Sequence, residues 1–280
     1  MCITFLYISQ DSFKDKYKVI LAMNRDEFFK RPTSKSEWTD EVLAGRDQEP
    51  GREGGTWLGM NTKGRIGFLT NIYAGKHQSG AGRGFLVIDY LRSSGGANEY
   101  LTNLSLSDTV YSPFNLMLLE PGNGDEQYSI YYYCKGHPMC VINESIGPHK
   151  LDPGFHSISN HPKDQPYRKT QYGQDQFSEI LKKYMTGSSD HKDEMIEKIF
   201  ELMKIKTSFH PDPQMIKQAG VNSSMSAFHE KLACVNVDIP EKDYGTRTTS
   251  IVLIDHENNA TFIERDQKTN ETTYHSFKIK

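Results

Sequence analysis

The sequence predicts an α+β chain in which two β-sheets stack face to face and helices cover the outsides. Strand-like runs cluster at both ends of the chain with helical periodicity between them, and the regular βαβαβ alternation of a doubly wound fold is missing. With 36% hydrophobic and 11% aromatic residues in 280 positions, the chain can bury a substantial core. No linker, low-complexity tract or internal repeat divides it, so residues 1–280 read as a single domain.

In chain order, Ile3 to Tyr7 and Tyr17 to Glu27 are two β-rich runs on either side of the polar segment Gln10 to Lys16, the pattern of an antiparallel hairpin. Arg31-Pro32 ends the second run and opens a polar loop to about Gly55, because a proline restricts the residue before it and cannot donate to a ladder. The glycines of that loop do not link a strand to a helix, so they are not a dinucleotide fingerprint. Thr56 to Met60, the turn Asn61-Thr62-Lys63-Gly64, and Arg65 to Asn71 predict a second hairpin. Phe85, Leu86, Ile88 and Leu91 recur at helical spacing before Gly95-Gly96. Phe114 to Leu119 and Tyr128 to Cys134 read as strands, and His156 to Ile158 as a short run before the turn Ser159-Asn160-His161-Pro162. Two amphipathic helices follow, one over Tyr172, Phe177, Ile180, Leu181 and Tyr184, the other over Met195, Ile196, Ile199, Phe200 and Met203. Leu232 to Val237 is expected to resume β structure. Tyr244 to Ile254 is the strongest strand in the chain, with Ala260 to Arg265 pairing back and Thr272 to Ile279 closing by alternation.

The chemistry concentrates at the start. If the opening hairpin forms, the end of its second strand returns beside Cys2, bringing Asn24, Arg25 and Asp26 close. A residue as small as cysteine at position two favours removal of Met1, which leaves a thiol and an α-amine on one residue. These groups titrate near pH ~8.5 and ~8, so each can exchange a proton with the other around neutrality. Asn71 falls at a strand end, where a side-chain amide can donate to a developing oxyanion.

Several classes are excluded. A net charge of −3 with scattered Lys and Arg lacks the basic footprint of a nucleic-acid binder. The apolar run Ile3 to Ile8 is too short for a membrane span and has no basic start, so a soluble cytoplasmic protein is expected. Four cysteines cannot form a disulfide framework in a chain of this length. Cys134, His137 and Cys140 have a spacing that could hold part of a metal site, but four N/S ligands are not evident and no metal is expected. No C-x-x-C-H motif supports covalent haem, which leaves non-covalent binding open.

A set of spaced motifs carries a family likeness: Met1-Cys2-Ile3, Ala22-Met23-Asn24-Arg25-Asp26-Glu27-Phe28, Arg31-Pro32, Gly54-Gly55-Thr56-Trp57-Leu58-Gly59, Leu69-Thr70-Asn71, Gly82-Arg83-Gly84, Ser159-Asn160 and Tyr244-Gly245-Thr246-Arg247-Thr248. Together they resemble the NRDE family, the transport and Golgi organisation protein 2 family. That family is in turn similar to the N-terminal-nucleophile hydrolases of the choloylglycine and penicillin V acylase type, which implies a four-layer αββα sandwich. The resemblance implies Cys2 as nucleophile, Asp26 as partner of its α-amine, Asn71 and Asn160 as oxyanion and amine contacts, and Arg247 as the cation near the thiol. One position departs from the acylases, which place an Arg before the Asn of the Asn-x-Asp segment. Here that position is Met23, and Arg25 lies between Asn24 and Asp26. Strand alternation then sets Arg25 and Glu27 on the face opposite Asn24 and Asp26. With Asp26 turned to Cys2, Arg25 is expected to turn away and pair with Glu27 or Glu53.

The resemblance also implies links to Golgi organisation, lipid and acyl-CoA homeostasis and haem trafficking. Two functions follow as expectations. The first is an acyl hydrolase acting on an amide or thioester, with no required cofactor. The second is a non-enzymatic carrier of haem or another apolar ligand on the same scaffold. Either expects a small acyl or haem-like partner, and a location in the cytoplasm with association to mitochondria or the Golgi.

Overall fold

A computed structural model describes residues 2–10, 15–72, 80–122, 127–136, 147–185, 191–219 and 226–280. The chain is mixed α/β with two seven-stranded sheets. Its elements are β1 (Ile3–Ile8), β2 (Tyr17–Phe28), β3 (Glu37–Thr39), β4 (Val42–Ala44), β5 (Leu58–Asn61), β6 (Ile66–Asn71), α1 (Gly84–Arg92), α2 (Ala97–Leu106), β7 (Phe114–Glu120), β8 (Ser129–Lys135), β9 (His149–Leu151), β10 (Gly154–Ile158), α3 (Arg168–Tyr184), α4 (Lys192–Met203), α5 (Pro213–Ala219), α6 (Ser226–Leu232), β11 (Asp238–Ile239), β12 (Tyr244–Asp255), β13 (Asn259–Asp266) and β14 (Thr272–Lys278). They divide into two compact units, one of residues 1–30 and 154–277, the other of residues 31–153 and 278–280.

The first unit is built on the sheet β10-β1-β2-β12-β13-β14, with β11 joined to β12. Both ends of the chain meet here, since the opening hairpin pairs antiparallel with the strong late strand β12. Ile3, Phe5 and Tyr7 of β1, Ile20 and Ala22 of β2, and Ile251 and Leu253 of β12 turn one face to α3 and α4. There they bury Phe177, Leu181, Ile199 and Phe200, the apolar stripes of the two helices. Gly173 permits this close approach: a Cβ at that position would stand 2.1 Å from Cζ of Phe5.

The second unit holds the sheet β3-β4-β5-β6-β7-β8-β9, whose strands lie in chain order. Its core joins Val42, Leu69, Phe114, Leu116 and Leu118 to Leu86, Val87 and Leu91 of α1 and Leu101 and Leu104 of α2. The two glycine motifs of the sequence meet in this unit. A Cβ on Gly55 would approach the Gly84 Cα to 3.1 Å, and Gly84 accepts a hydrogen bond from the Thr56 backbone at its carbonyl.

Three expectations change. The polar stretch after Pro32 contains β3 and β4, three-residue strands that pair with each other, β4 also pairing with β5, and are too short to leave a period to read. A second helix, α2, covers the second sheet, its buried side limited to Ala97, Leu101 and Leu104. Leu232 to Val237 is not a strand: α6 ends at Leu232, and regular pairing resumes only at β11. The Cys134-to-Cys140 spacing lies partly outside the described residues, and among those described no group of metal-ligating side chains forms.

Candidate functional site

Cys2 lies one residue before β1 with only 7% of its surface exposed. Its carbonyl accepts a hydrogen bond from Ser159 Oγ at 2.7 Å, and the same hydroxyl lies 3.2 Å from Oδ1 of Asn160. The Asn160 carbonyl accepts from Tyr167 Oη at 3.0 Å and from Gln218 Nε2 at 3.0 Å. The turn after β10 is therefore fastened on both sides and clamps Cys2 at its backbone. The structure thus brings Asn160 to Cys2 through a shared serine. Met1 lies outside the described residues.

Pairing register decides what the thiol faces. Ile3 pairs with Asn24, and paired residues share a face of the sheet. Ile3 belongs to the helix-covered core, and Asn24 Nδ2 on that same face donates to the carbonyls of Met203 and Val235 at 2.8 and 3.1 Å. Cys2 and Arg25 each lie one residue beyond that last pair, and alternation along β2 sets Arg25 on the face opposite Asn24. The Asp26 backbone N–H supplies a hydrogen bond to the sulfur. Burial pushes the Cys2 thiol pKa up and the Asp26 charge adds to this, whereas the Asp26 N–H and the Arg25 guanidinium pull it down. Arg25 is itself 5% exposed.

Asp26 is buried, and its Oδ1 accepts a 2.6 Å hydrogen bond from Thr246 Oγ1 on the neighbouring strand. Burial raises its pKa, opposed by the positive charge of Lys169 and the Thr246 hydrogen bond. Lys169 is fully buried at the start of α3, its Nζ donating to the carbonyls of Leu232 at 2.8 Å and Cys234 at 3.0 Å. Burial lowers the Lys169 pKa and Asp26 opposes that, so ammonium and carboxylate sustain each other's charge in a dry setting. Asp212 fixes the helix that presents this lysine by accepting from the Arg168 backbone at 2.6 Å. Lys169, Thr246 and Ser159 were not among the expected site residues. A legible signal existed for Lys169, which occupies the first position of the series 169, 173, 177, 181 that forms the buried stripe of α3.

Arg247 is half-buried and donates to the Phe28 carbonyl at 3.5 Å. It is the extra residue of a bulge, since Thr246 pairs with Asp26 and Thr248 with Arg25. The charged groups with the largest influence on the Cys2 thiol include Arg25 and Asp26 and not Arg247. Asn71 belongs to the second unit, exposed at the last position of β6.

Chemically, the first unit offers a buried thiol that accepts from one backbone N–H and feels the charge of Arg25, next to an Asp–Lys pair. This defines a mixed α/β protein of two antiparallel sheets with a cysteine centre at the head of its first strand. The chain belongs to the Transport and Golgi organisation 2 family, whose family model matches residues 1–269. It is 32% identical to the Bos taurus transport and Golgi organization protein 2 homolog over 289 residues, covering 100% of this chain and 99% of that protein. Identity is also 32% to the Homo sapiens homolog over 279 residues, covering 98% and 96%, and 32% to the Drosophila melanogaster protein over 274 residues, covering 94% and 91%. Among solved structures, a mutant conjugated bile acid hydrolase from Clostridium perfringens aligns at TM-score 0.44 and 11% identity, covering 99% of this chain and 92% of that one. A Caenorhabditis elegans N-acylethanolamine-hydrolyzing acid amidase ortholog aligns at 0.45 and 12%, covering 90% and 92%.

Proposed function

We propose that this protein is an acyl hydrolase in which Cys2 attacks the carbonyl carbon of an amide or thioester. The observation that carries this reading is the setting of the Cys2 sulfur, which is buried, accepts from the Asp26 backbone N–H and feels the Arg25 charge. Burial keeps the thiol protonated near neutrality, so attack needs a base. The α-amine of Cys2, uncovered by removal of Met1, takes the thiol proton, and Asp26 steadies the resulting ammonium. The sulfur forms an acyl–thioester as the C–N or C–S bond of the substrate breaks, with the proton passing to the leaving group; water then releases the acid. Asn160, fixed through Ser159, is a proposed amide contact for the oxyanion and amine, and Arg247 a cation at the edge of the site. A thiol-reactive amide or thioester probe is expected to label Cys2 and to fail on Cys2→Ala. Intact mass showing Met1 fully retained in the native protein rules the mechanism out.

The raised thiol pKa favours a second reading, in which Cys2 is a contact for a carried apolar ligand such as haem or an acyl chain and not a ready nucleophile. Titration with haem then gives a saturable spectral change that Cys2→Ala alters. The names of the relatives support a cellular role in transport and Golgi organisation, and we propose action in the cytoplasm at mitochondria or Golgi. No helix among the described residues is long and apolar enough to cross a membrane.

A further inference from the structure

A cleft of about 400 Å³ opens in the first unit between Phe29, the segment after α4 and the β13–β14 turn. Three lysines line it: Lys204, Lys206 and Lys268. Lys206 is held by Asp238 at 2.7 Å, while among the described residues no ion pair engages Lys204 or Lys268. The lining therefore carries an excess of two positive charges (three lysines against Asp238), in a chain whose net charge is −3. Concentrating like charge in a concave surface focuses the field and favours an anion there.

Lysines and no arginine line the cleft. An anion there is held by compact point charges, the mode in which lysine binds phosphate, and not by the planar fork with which arginine grips carboxylate and phosphate alike. The Phe29 ring and Val237 give the cleft an apolar wall, and its volume falls within the range of small-molecule sites. Thr246 lies at the cleft as well as against Asp26, so an occupant touching Thr246 stands one hydrogen bond from that carboxylate.

We propose that this cleft binds the phosphate group of a phosphorylated small organic molecule, with Lys204 and Lys268 as its principal contacts and Phe29 packing on the organic part. The site is separate from the Cys2 chemistry and does not require it. Isothermal titration of the full chain with inorganic pyrophosphate tests the charge recognition, with citrate as the carboxylate control and phosphatidylserine vesicles as the membrane control. One saturable site is expected for pyrophosphate, weakened at least about tenfold by the combined Lys204→Met and Lys268→Met substitutions and more weakly held as salt rises. Both lysines are exposed, so an unchanged melting temperature is expected to accompany that loss. Cys2→Ala is expected to bind normally, which separates failure of this site from failure of the hydrolase reading. Absence of saturable binding, equal binding of citrate, binding only to vesicles, or affinity unchanged in the double variant each overturns the proposal.

Discussion

The two faces of the first sheet are built from the same strands and differ in kind. On the helix-covered face, Asn24 is bonded to its surroundings, donating to the Met203 and Val235 carbonyls and accepting from Thr249. The other face changes character along its length. Its rows run Ile8-Val19-Ile254-Ala260, Leu6-Leu21-Val252-Phe262, Thr4-Met23-Ser250-Glu264, and finally Arg25-Thr248-Asp266 beside Cys2. The first two rows are apolar and the last two are increasingly polar. The hydroxyls of Thr4 and Thr248 are buried there with no hydrogen-bond partner among the described residues. A buried hydroxyl without a partner costs stability, which packing alone does not reward. One face thus holds the fold together, and the Cys2 end of the other is shaped for chemistry.

This contrast can be broken from the helix side first. Gly173→Leu forces a side chain into Phe5 and is expected to cost at least about 3 kcal/mol in urea unfolding, the upper range for overpacking. Unchanged stability would mean that α3 does not rest on β1 as described. Asn24→Ala removes the side-chain donor to the Val235 carbonyl and leaves Met203 only the 3.5 Å hydrogen bond from Asn236 Nδ2, for an expected loss of about 2 kcal/mol. The same variant, while folded, should leave the pH dependence of Cys2 alkylation unmoved, because its side chain lies on the helix face. A shifted alkylation profile would show that the two faces communicate.

On the chemical side the expected effects on stability are smaller and those on titration larger. Asp26 has a raised pKa in the fold, so the folded state retains a proton that the unfolded state loses above about pH 4. Its contribution is complete below that value and is lost as pH rises through the raised folded value. Wild type should therefore lose stability relative to Asp26→Asn across this window, read as the difference between the two urea curves at each pH. A difference that is flat with pH would place Asp26 in an ordinary environment. Last, Arg25→Met is expected to raise the apparent pKa of Cys2 alkylation, and Arg247→Met to move it less. The reverse order would restore Arg247 as the cation of the thiol and return Arg25 to a purely structural role.

Much of this molecule was legible along the chain because it depends on neighbours in sequence. The opening hairpin, the hairpin ending at Asn71, the helix from Gly84, the amphipathic helices α3 and α4, and the strong strand β12 each follow from a local period or a turn. The spaced motifs led to the family and to Cys2, Asp26 and Asn160. Other features depend on which strands meet and in what register, which no local pattern encodes. Alternation along β2 separates Arg25 from Asp26, yet only the pairing of Ile3 with Asn24 brings Cys2 to this end of β2. The bulge that releases Arg247 from alternation exists only in the pairing of β12 with β2. Lys169 lies far from Asp26 in sequence, and both the burial that disfavours their charges and the attraction that opposes it are properties of the packed chain.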